Sequence, residues 1–247
     1  MKQEFADFLK WHDSIIIPLS KDANLASWNA EISGKPEDWK KSEDLQIELV
    51  KFYADSAAFA KLDEFKKSGL ITDTLMARQL DVLYNMFIMA KADTAKLNEE
   101  VRLSTLIQQK YGNFRTEVKG KKLSDNDVEE ILRNSKNVNE QKEAWIAQKK
   151  IGNVVAEDVI KLVKLRNEIA KELGFKNYHT MSLTLSEEDP KEISAIFDEL
   201  DSLTRDAFAS VKGEIDDYFV KYYNLKSKDE LMPWNYQNRF FQEAPKI

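Results

Sequence analysis

The stretch Thr72-Asp73-Thr74-Leu75-Met76-Ala77-Arg78-Gln79-Leu80-Asp81-Val82-Leu83-Tyr84-Asn85-Met86-Phe87-Ile88-Met89-Ala90 places Met76, Leu80, Leu83, Phe87 and Ala90 at spacings of four, three, four and three. That recurrence keeps one apolar stripe on one face of a helix. Thr72-Asp73-Thr74 offers the N-cap, and residues 70 to 111 contain neither Gly nor Pro, so the helix is expected to run on, or to kink, near Ala92-Asp93. Toward the N-terminus, residues 37 to 68 also lack both breakers, and Leu45, Leu49, Phe52, Ser56 and Phe59 form a second stripe that ends at Ser68-Gly69. Toward the C-terminus, Leu162, Leu165, Ile169 and Leu173 are closed by Gly174, and Ile193, Ile196, Phe197, Leu200 and Leu203 follow as another stripe. Ser124 with Asp127, Asn137 with Glu140, Asp189 with Glu192 and Ser227 with Glu230 each set a capping side chain three residues before a carboxylate. Pro190 suits a first helical position. The pattern predicts eight or nine helices of 15 to 40 residues, without the internal period of a solenoid.

Composition agrees. Gly and Pro together make up 12 of 247 residues, about 5% where about 12% is usual, which starves β-turns and favours long helices. The expected fold class is all-α, a multi-helix assembly with length enough for one large core or two small ones. There is no cysteine, which excludes disulfides, thiolate zinc sites, iron–sulfur clusters and a cysteine nucleophile. A net charge of −6, with Lys and Arg scattered through the helical stretches, lacks the footprint of a nucleic-acid binder. The densest basic run, Lys119-Gly120-Lys121-Lys122, reads as a solvated turn. Ile15-Ile16-Ile17-Pro18 is far too short for the core of a signal peptide or a membrane span. No membrane segment is expected, and the default compartment is the cytoplasm, or the periplasm or exterior if a leader precedes the chain.

Chemistry-bearing motifs are few. The histidines are His12 and His179, and neither is followed by the residues of a His-Glu-x-x-His helix. His12 follows Phe5, Phe8 and Leu9 at helical spacing, as a packed histidine would; His179 lies in a connection between helices, where hydrogen bonding to backbone is expected. Glu187-Glu188, Asp216-Asp217 and Glu129-Glu130 are adjacent positions that do not face each other on a helix. No phosphate-cradling glycine loop and no Gly-x-Ser-x-Gly elbow is present. No catalytic residue and no metal ligand is assigned. The segment from Leu231 to Pro245 carries Trp234, Tyr236, Phe240 and Phe241 among Asn235, Gln237, Asn238 and Gln242, with no helical stripe. Such a mixture suits a pocket wall, in which rings exclude water and amides orient a ligand. It equally suits an extended arm that docks its aromatics on the helices.

Trp145-Ile146-Ala147-Gln148-Lys149-Lys150-Ile151-Gly152, followed by Leu162-Val163-Lys164-Leu165-Arg166-Asn167-Glu168-Ile169-Ala170-Lys171-Glu172-Leu173-Gly174-Phe175-Lys176-Asn177-Tyr178, resembles a region of the helical zinc oligopeptidases. The closest resemblance is to the angiotensin-converting-enzyme family of peptidyl dipeptidases, particularly its bacterial members. Ala26-Ser27-Trp28-Asn29, Pro233-Trp234-Asn235-Tyr236 and Phe240-Phe241-Gln242-Glu243 are similar to the family in the same order.

The resemblance implies that residues 1 to 247 are the N-terminal portion of a catalytic domain, forming one side of a deep peptidase cleft. The zinc helix would come later in the sequence. Zinc would serve the complete enzyme, with none expected on this chain alone, and the chain alone would be inactive. The implied substrate is a peptide that loses dipeptides from its C-terminus, and the implied partner is the C-terminal part of the catalytic domain. By the same resemblance, Gln242 helps to bind the substrate's terminal carboxylate; Trp234, Tyr236 and Phe241 are the further substrate-binding candidates, from the pocket-wall reading of the segment. Animal members place a chloride-binding arginine in the Trp…Gly stretch, where this chain has Gln148 and Lys149, so chloride dependence does not carry over. Two other readings stand beside this one: a non-catalytic helical domain that binds a peptide or protein through the Trp234 to Phe241 surface, and a helical protein with a metal site built from His12, His179 and carboxylates. If a later part is missing, apolar surface should be left uncovered near residues 231 to 247.

Overall fold

Ten α-helices and one β-hairpin make up the regular structure of the described residues, which in this computed structural model are 1–241, 243 and 245. The all-α class holds. Gln242, the expected carboxylate-binding residue, lies outside the described residues. The chain divides into two units, the first formed by residues 1–113 and 155–190, the second by 114–154 and 191–247.

The first unit contains α1 (Lys2–Ser33), α2 (Pro36–Tyr53), α3 (Ser56–Ser68), α4 (Thr74–Met89), α5 (Thr94–Asn113), most of α8 (Ile151–Glu172) and α9 (Tyr178–Leu185). Phe5 and Phe8 of α1, Leu62 and Phe65 of α3, and Leu80, Leu83 and Phe87 of α4 form one buried cluster. Four of its rings are buried to within 8% of full cover, and Phe5 meets Phe65 edge to face at 5.3 Å. Ala90, Ala92, Leu97 and Ile169 form a second cluster, with Leu165 and Leu173 packed against it. The stripes predicted on α4 and α8 are therefore core faces.

The unbroken helix expected over residues 37 to 68 is two helices. Asp55 takes an extended conformation (φ −64°, ψ 112°), and its carboxylate accepts hydrogen bonds from the N–H groups of Ala57 and Ala58 at 2.8 and 2.9 Å. A short carboxylate that can serve the free N–H groups of a new first turn ends one helix and starts the next without Gly or Pro. Asp93 does the same between α4 and α5, accepting from the Lys96 N–H at 3.0 Å, so the chain breaks where a kink was one alternative. These divisions raise the helix number above eight or nine and shorten the helices to between 8 and 33 residues.

The second unit contains β1 (Thr116–Val118), β2 (Lys121–Leu123), α6 (Asp125–Asn134), α7 (Val138–Lys149) and α10 (Pro190–Tyr222), followed by 3₁₀ turns at Lys228–Glu230 and Pro233–Tyr236. β1 and β2 pair antiparallel, Thr116 opposite Leu123. The basic run closes this hairpin: Lys119 and Gly120 both have positive φ, 51° and 81°, the geometry of the tight turn whose twist matches paired strands. Ser124 and Asp127 form the expected capping box on α6, and Asn137 caps α7. Ser227 does not cap a helix. Glu230 instead accepts from the Lys226 N–H at 2.9 Å, and only a 3₁₀ turn forms. Leu123, Val128, Leu132 and Ala144 are the buried cluster of this unit, with Trp145 and Trp234 against it.

The stripe Ile193, Ile196, Phe197, Leu200 and Leu203 is not a core face. Every residue from 194 to 211 is exposed, and α10 becomes buried only further along, at Phe219. Among the described residues no helix is long and apolar enough to cross a membrane.

Candidate functional site

Of the sequence-predicted site residues, Trp234, Tyr236 and Phe241 lie on a C-terminal arm fixed within the second unit. Pro233 opens its 3₁₀ turn, and the Asn235 side-chain oxygen accepts from the Met232 N–H at 2.8 Å while the Asn235 N–H donates to the Met232 carbonyl at 2.9 Å. These reciprocal bonds bury Asn235 completely and set the rings on either side of it in different places. Trp234 wedges into the α6–α7 cluster and meets Trp145 edge to face at 6.0 Å, with the Lys142 ammonium 5.6 Å above its ring. Tyr236 turns to α10, where its ring meets Phe219 at 5.8 Å. The Tyr236 hydroxyl donates to Asp216 and accepts from Lys212, both at 2.8 Å, and Lys212 also donates to Asp216 at 2.5 and 2.7 Å. Burial pushes the Tyr236 hydroxyl above its ordinary pKa, opposed by the Lys212 bond and supported by Asp216.

Arg239 is the clamp that the sequence reading missed. Its guanidinium reaches Glu129 at 2.6 Å and Asp125 at 2.8 Å, both on α6, with the side chain only 12% exposed. The Lys149 ammonium of α7 donates to the Arg239 carbonyl at 2.9 Å and lies 4.9 Å from the Phe240 ring. Burial lowers the Lys149 pKa, and the neighbouring Arg239 charge lowers it further, while Glu129 works the other way. In the Trp145–Gly152 stretch, Lys149 thus holds backbone of the arm. Spacing in the sequence carries no sign of this clamp, because Arg239 and its carboxylate partners are 110 or more residues apart.

The arm thus matches the docked-arm reading in its first half. Trp234 packs against the α6–α7 cluster and Tyr236 bonds the Lys212–Asp216 pair. Phe240 and Phe241 are exposed, at 44% and 55%, with Phe241 6.1 Å from Tyr236 at a positive φ of 57°.

Elsewhere, the segment from Leu162 to Tyr178 folds as the end of α8, a turn and the start of α9. Arg166 donates to Glu100 of α5 at 2.8 Å and lies over the Tyr178 ring, and the Asn167 side-chain oxygen accepts from the Tyr178 N–H at 3.0 Å. Arg166 and Asn167 are cross-braces.

The histidines do not form a metal site. His12 is 6% exposed, its Nδ1 2.9 Å from Asp13 and its Nε2 3.2 Å from the Tyr53 hydroxyl, so it is the packed histidine expected. His179 sits exposed in the first turn of α9 rather than in the connection before it. Among the described residues no group of three or more His, Asp or Glu side chains is placed to hold a metal. The reading built on His12, His179 and carboxylates therefore has no donor set.

The sequence model of the peptidase M2 family, described as angiotensin-converting enzyme, matches residues 1–232. The chain belongs to the peptidase M2 family. Among curated proteins none matches it. Membership makes this a metallopeptidase-family chain, with proteolysis as the family chemistry and peptides as the substrate class. The match covers both cross-bracing residues of the Leu162–Tyr178 motif and ends just before Pro233, so the rings and amides of the arm lie beyond it.

Proposed function

We propose that the chain is the N-terminal part of a zinc-dependent peptidyl dipeptidase of the M2 family, nearest to its bacterial members, and supplies one wall of the substrate cleft. The match over residues 1–232 carries this reading. The described residues do not fit a zinc ion, because the two histidines are committed or isolated and no third ligand joins them. In this reading the metal is held by a segment outside residues 1 to 247, and the chain alone does not cleave peptides.

What these residues contribute is binding and shape. Trp234 and Asn235 anchor the arm, Arg239 and Lys149 clamp it, and the exposed ring of Phe241 is the portion offered to substrate. An amide at Gln242 can donate to a terminal carboxylate, as the family resemblance implies, while exposed rings at 240 and 241 cover apolar side chains of the peptide.

The test is dipeptide release from a blocked peptide, followed with and without a chelator, for this chain and for its extended reading frame. Release only from the extended form, abolished by chelator, is the expected result. Within that form, Gln242→Ala should raise KM more than it lowers kcat. Absence of a His-Glu-x-x-His segment in the extended frame, or release by residues 1 to 247 alone, sinks the proposal.

A further inference from the structure

Consecutive residues near the end of the arm, Arg239, Phe240 and Phe241, are each held by neighbours. The Arg239 carbonyl accepts from the Lys149 ammonium of α7 at 2.9 Å, while the Arg239 side chain reaches Glu129 and Asp125 of α6. The Phe240 ring lies 4.9 Å from the Lys149 ammonium and 5.1 Å from the Arg239 guanidinium, and the Phe240 N–H donates to the Asn238 side-chain oxygen at 2.8 Å. The Phe241 ring meets Tyr236 edge to face, and Tyr236 is itself tied to Lys212 and Asp216. The Phe241 backbone sits at a φ of 57°, a conformation that a bulky side chain disfavours and that persists only where its surroundings impose it. The course of the chain through Phe241 is therefore set by what grips the residues before it.

For stability alone, a lysine is a poor choice at position 149. Its side chain is half-buried beside the Arg239 guanidinium. Burial first, and then that like charge, lower its pKa against the pull of Glu129, so the charged form is disfavoured here relative to water. The ammonium also lies 5.0 Å from the Trp145 ring. Methionine, unbranched and apolar, would fill the same space beside both rings without a charge. What it lacks is a donor for the Arg239 carbonyl. A charge that does not favour the fold, yet fixes backbone next to a binding segment, fits a positioning role.

We infer that Lys149 is a positioning residue for substrate binding: through the Arg239 carbonyl it fixes the arm from which Phe241 and Gln242 follow in sequence. The inference rests on the peptidase reading, in which that end of the arm meets the substrate's terminal carboxylate. Lys149 itself touches backbone and rings, and no contact with substrate is assigned to it. A residue kept for stability and one kept for position differ in what their loss does: the first lowers the unfolding midpoint, the second weakens substrate binding.

Lys149→Met and Lys149→Arg are compared with the parent in two settings. In residues 1 to 247 alone, trypsin is expected to cut after Arg239 only when the arm leaves its seat, because that side chain is 12% exposed. Lys149→Met should speed release of residues 240 to 247, followed by mass spectrometry, by at least about fivefold without lowering the urea midpoint. Lys149→Arg keeps a donor and should restore protection. In the extended reading frame, Lys149→Met should raise KM for a blocked peptide at least about fivefold while kcat stays within about twofold, and Lys149→Arg should recover most of the loss. A lowered urea midpoint with unchanged KM makes Lys149 a structural strut and overturns the inference. Unchanged tryptic release, or no rescue by Lys149→Arg, overturns it too. An extended parent that releases no dipeptide fails the peptidase reading and takes the inference with it, whereas an active parent whose KM ignores Lys149→Met fails the inference alone.

Discussion

Arg239, itself largely buried, holds the arm through a charged hydrogen bond to Glu129 and an ion pair with the half-exposed Asp125. Bonds to charged groups contribute about 1.5–3 kcal/mol each, and stranding Glu129 adds to the loss. Arg239→Ala is therefore expected to lower stability by roughly 2–4 kcal/mol, read as a fall in the urea midpoint, and to expose the arm to limited proteolysis. An unchanged midpoint with an intact arm would show that Trp234 suffices as the anchor. Tyr53 carries a pH signature in the first unit. Burial, and then the nearby Asp13 charge, push its hydroxyl up to about 12 from an ordinary 10.0. Above pH 10 the unfolded hydroxyl loses its proton while the folded one keeps it, so the folded state binds more protons and stability falls as pH rises from about 10 to about 12. Tyr53→Phe should cost stability at pH 8, where it leaves the His12 Nε2 without its bond, and the gap to the parent should close toward pH 12. A gap that is the same at pH 8 and pH 11.5 in denaturant titrations would refute this. At this scale the sequence was partly legible. The packing of His12 followed from its place after Phe5, Phe8 and Leu9, whereas the role of Arg239 depends on two carboxylates that only folding brings near it.

Helical elements were legible because the period of apolar residues is a local property, fixed by 3.6 residues per turn. Their ends were less so. Asp55 divides α2 from α3 through two hydrogen bonds that any surface aspartate could decline to make. Asp55→Ala should cost about 1 kcal/mol, in the range for loss of an N-cap, while Asp55→Asn or Asp55→Ser should restore most of it. Equal midpoints for all of these in chemical denaturation would mean the break is set by packing instead. α10 shows the limit of periodicity. Its stripe reads as core, yet residues 194 to 211 are exposed, while Phe219 and Tyr223 are buried. Amide exchange should report this division, with the amides of 196 to 210 exchanging orders of magnitude faster than those of 216 to 223, because backbone bonds without buried contacts open at little cost. Uniform protection along α10 would contradict the exposure of its first half.

For the whole molecule, fully buried rings such as Phe5, Phe65 and Phe87 in the first unit and Phe219 in the second are the costliest side chains to truncate. Phe87 is fully covered and meets Tyr53 edge to face at 5.2 Å. Phe87→Ala should cost roughly 3–5 kcal/mol, the usual loss for a buried ring, measured by urea denaturation; a loss under 1 kcal/mol would mean that the site collapses or that the ring is not packed as described. The exposed arm rings and the α10 stripe add nothing comparable, so Phe241→Ala and Phe197→Ala should leave the midpoint within about 0.5 kcal/mol. The family was legible in ordered stretches of sequence such as Leu162 to Tyr178, and the match over residues 1–232 supports them. The all-α class followed from scarce glycine and proline together with the apolar period, since both act within a few residues and need no tertiary partner. Which apolar faces become core, which carboxylates meet Arg239, and whether Trp234 wedges inward or faces a ligand depend on residues far apart in the sequence, 110 or more positions for Arg239 and its carboxylates. The tertiary structure decided these, because a stripe states only that a face is apolar, and burial requires another element to cover it.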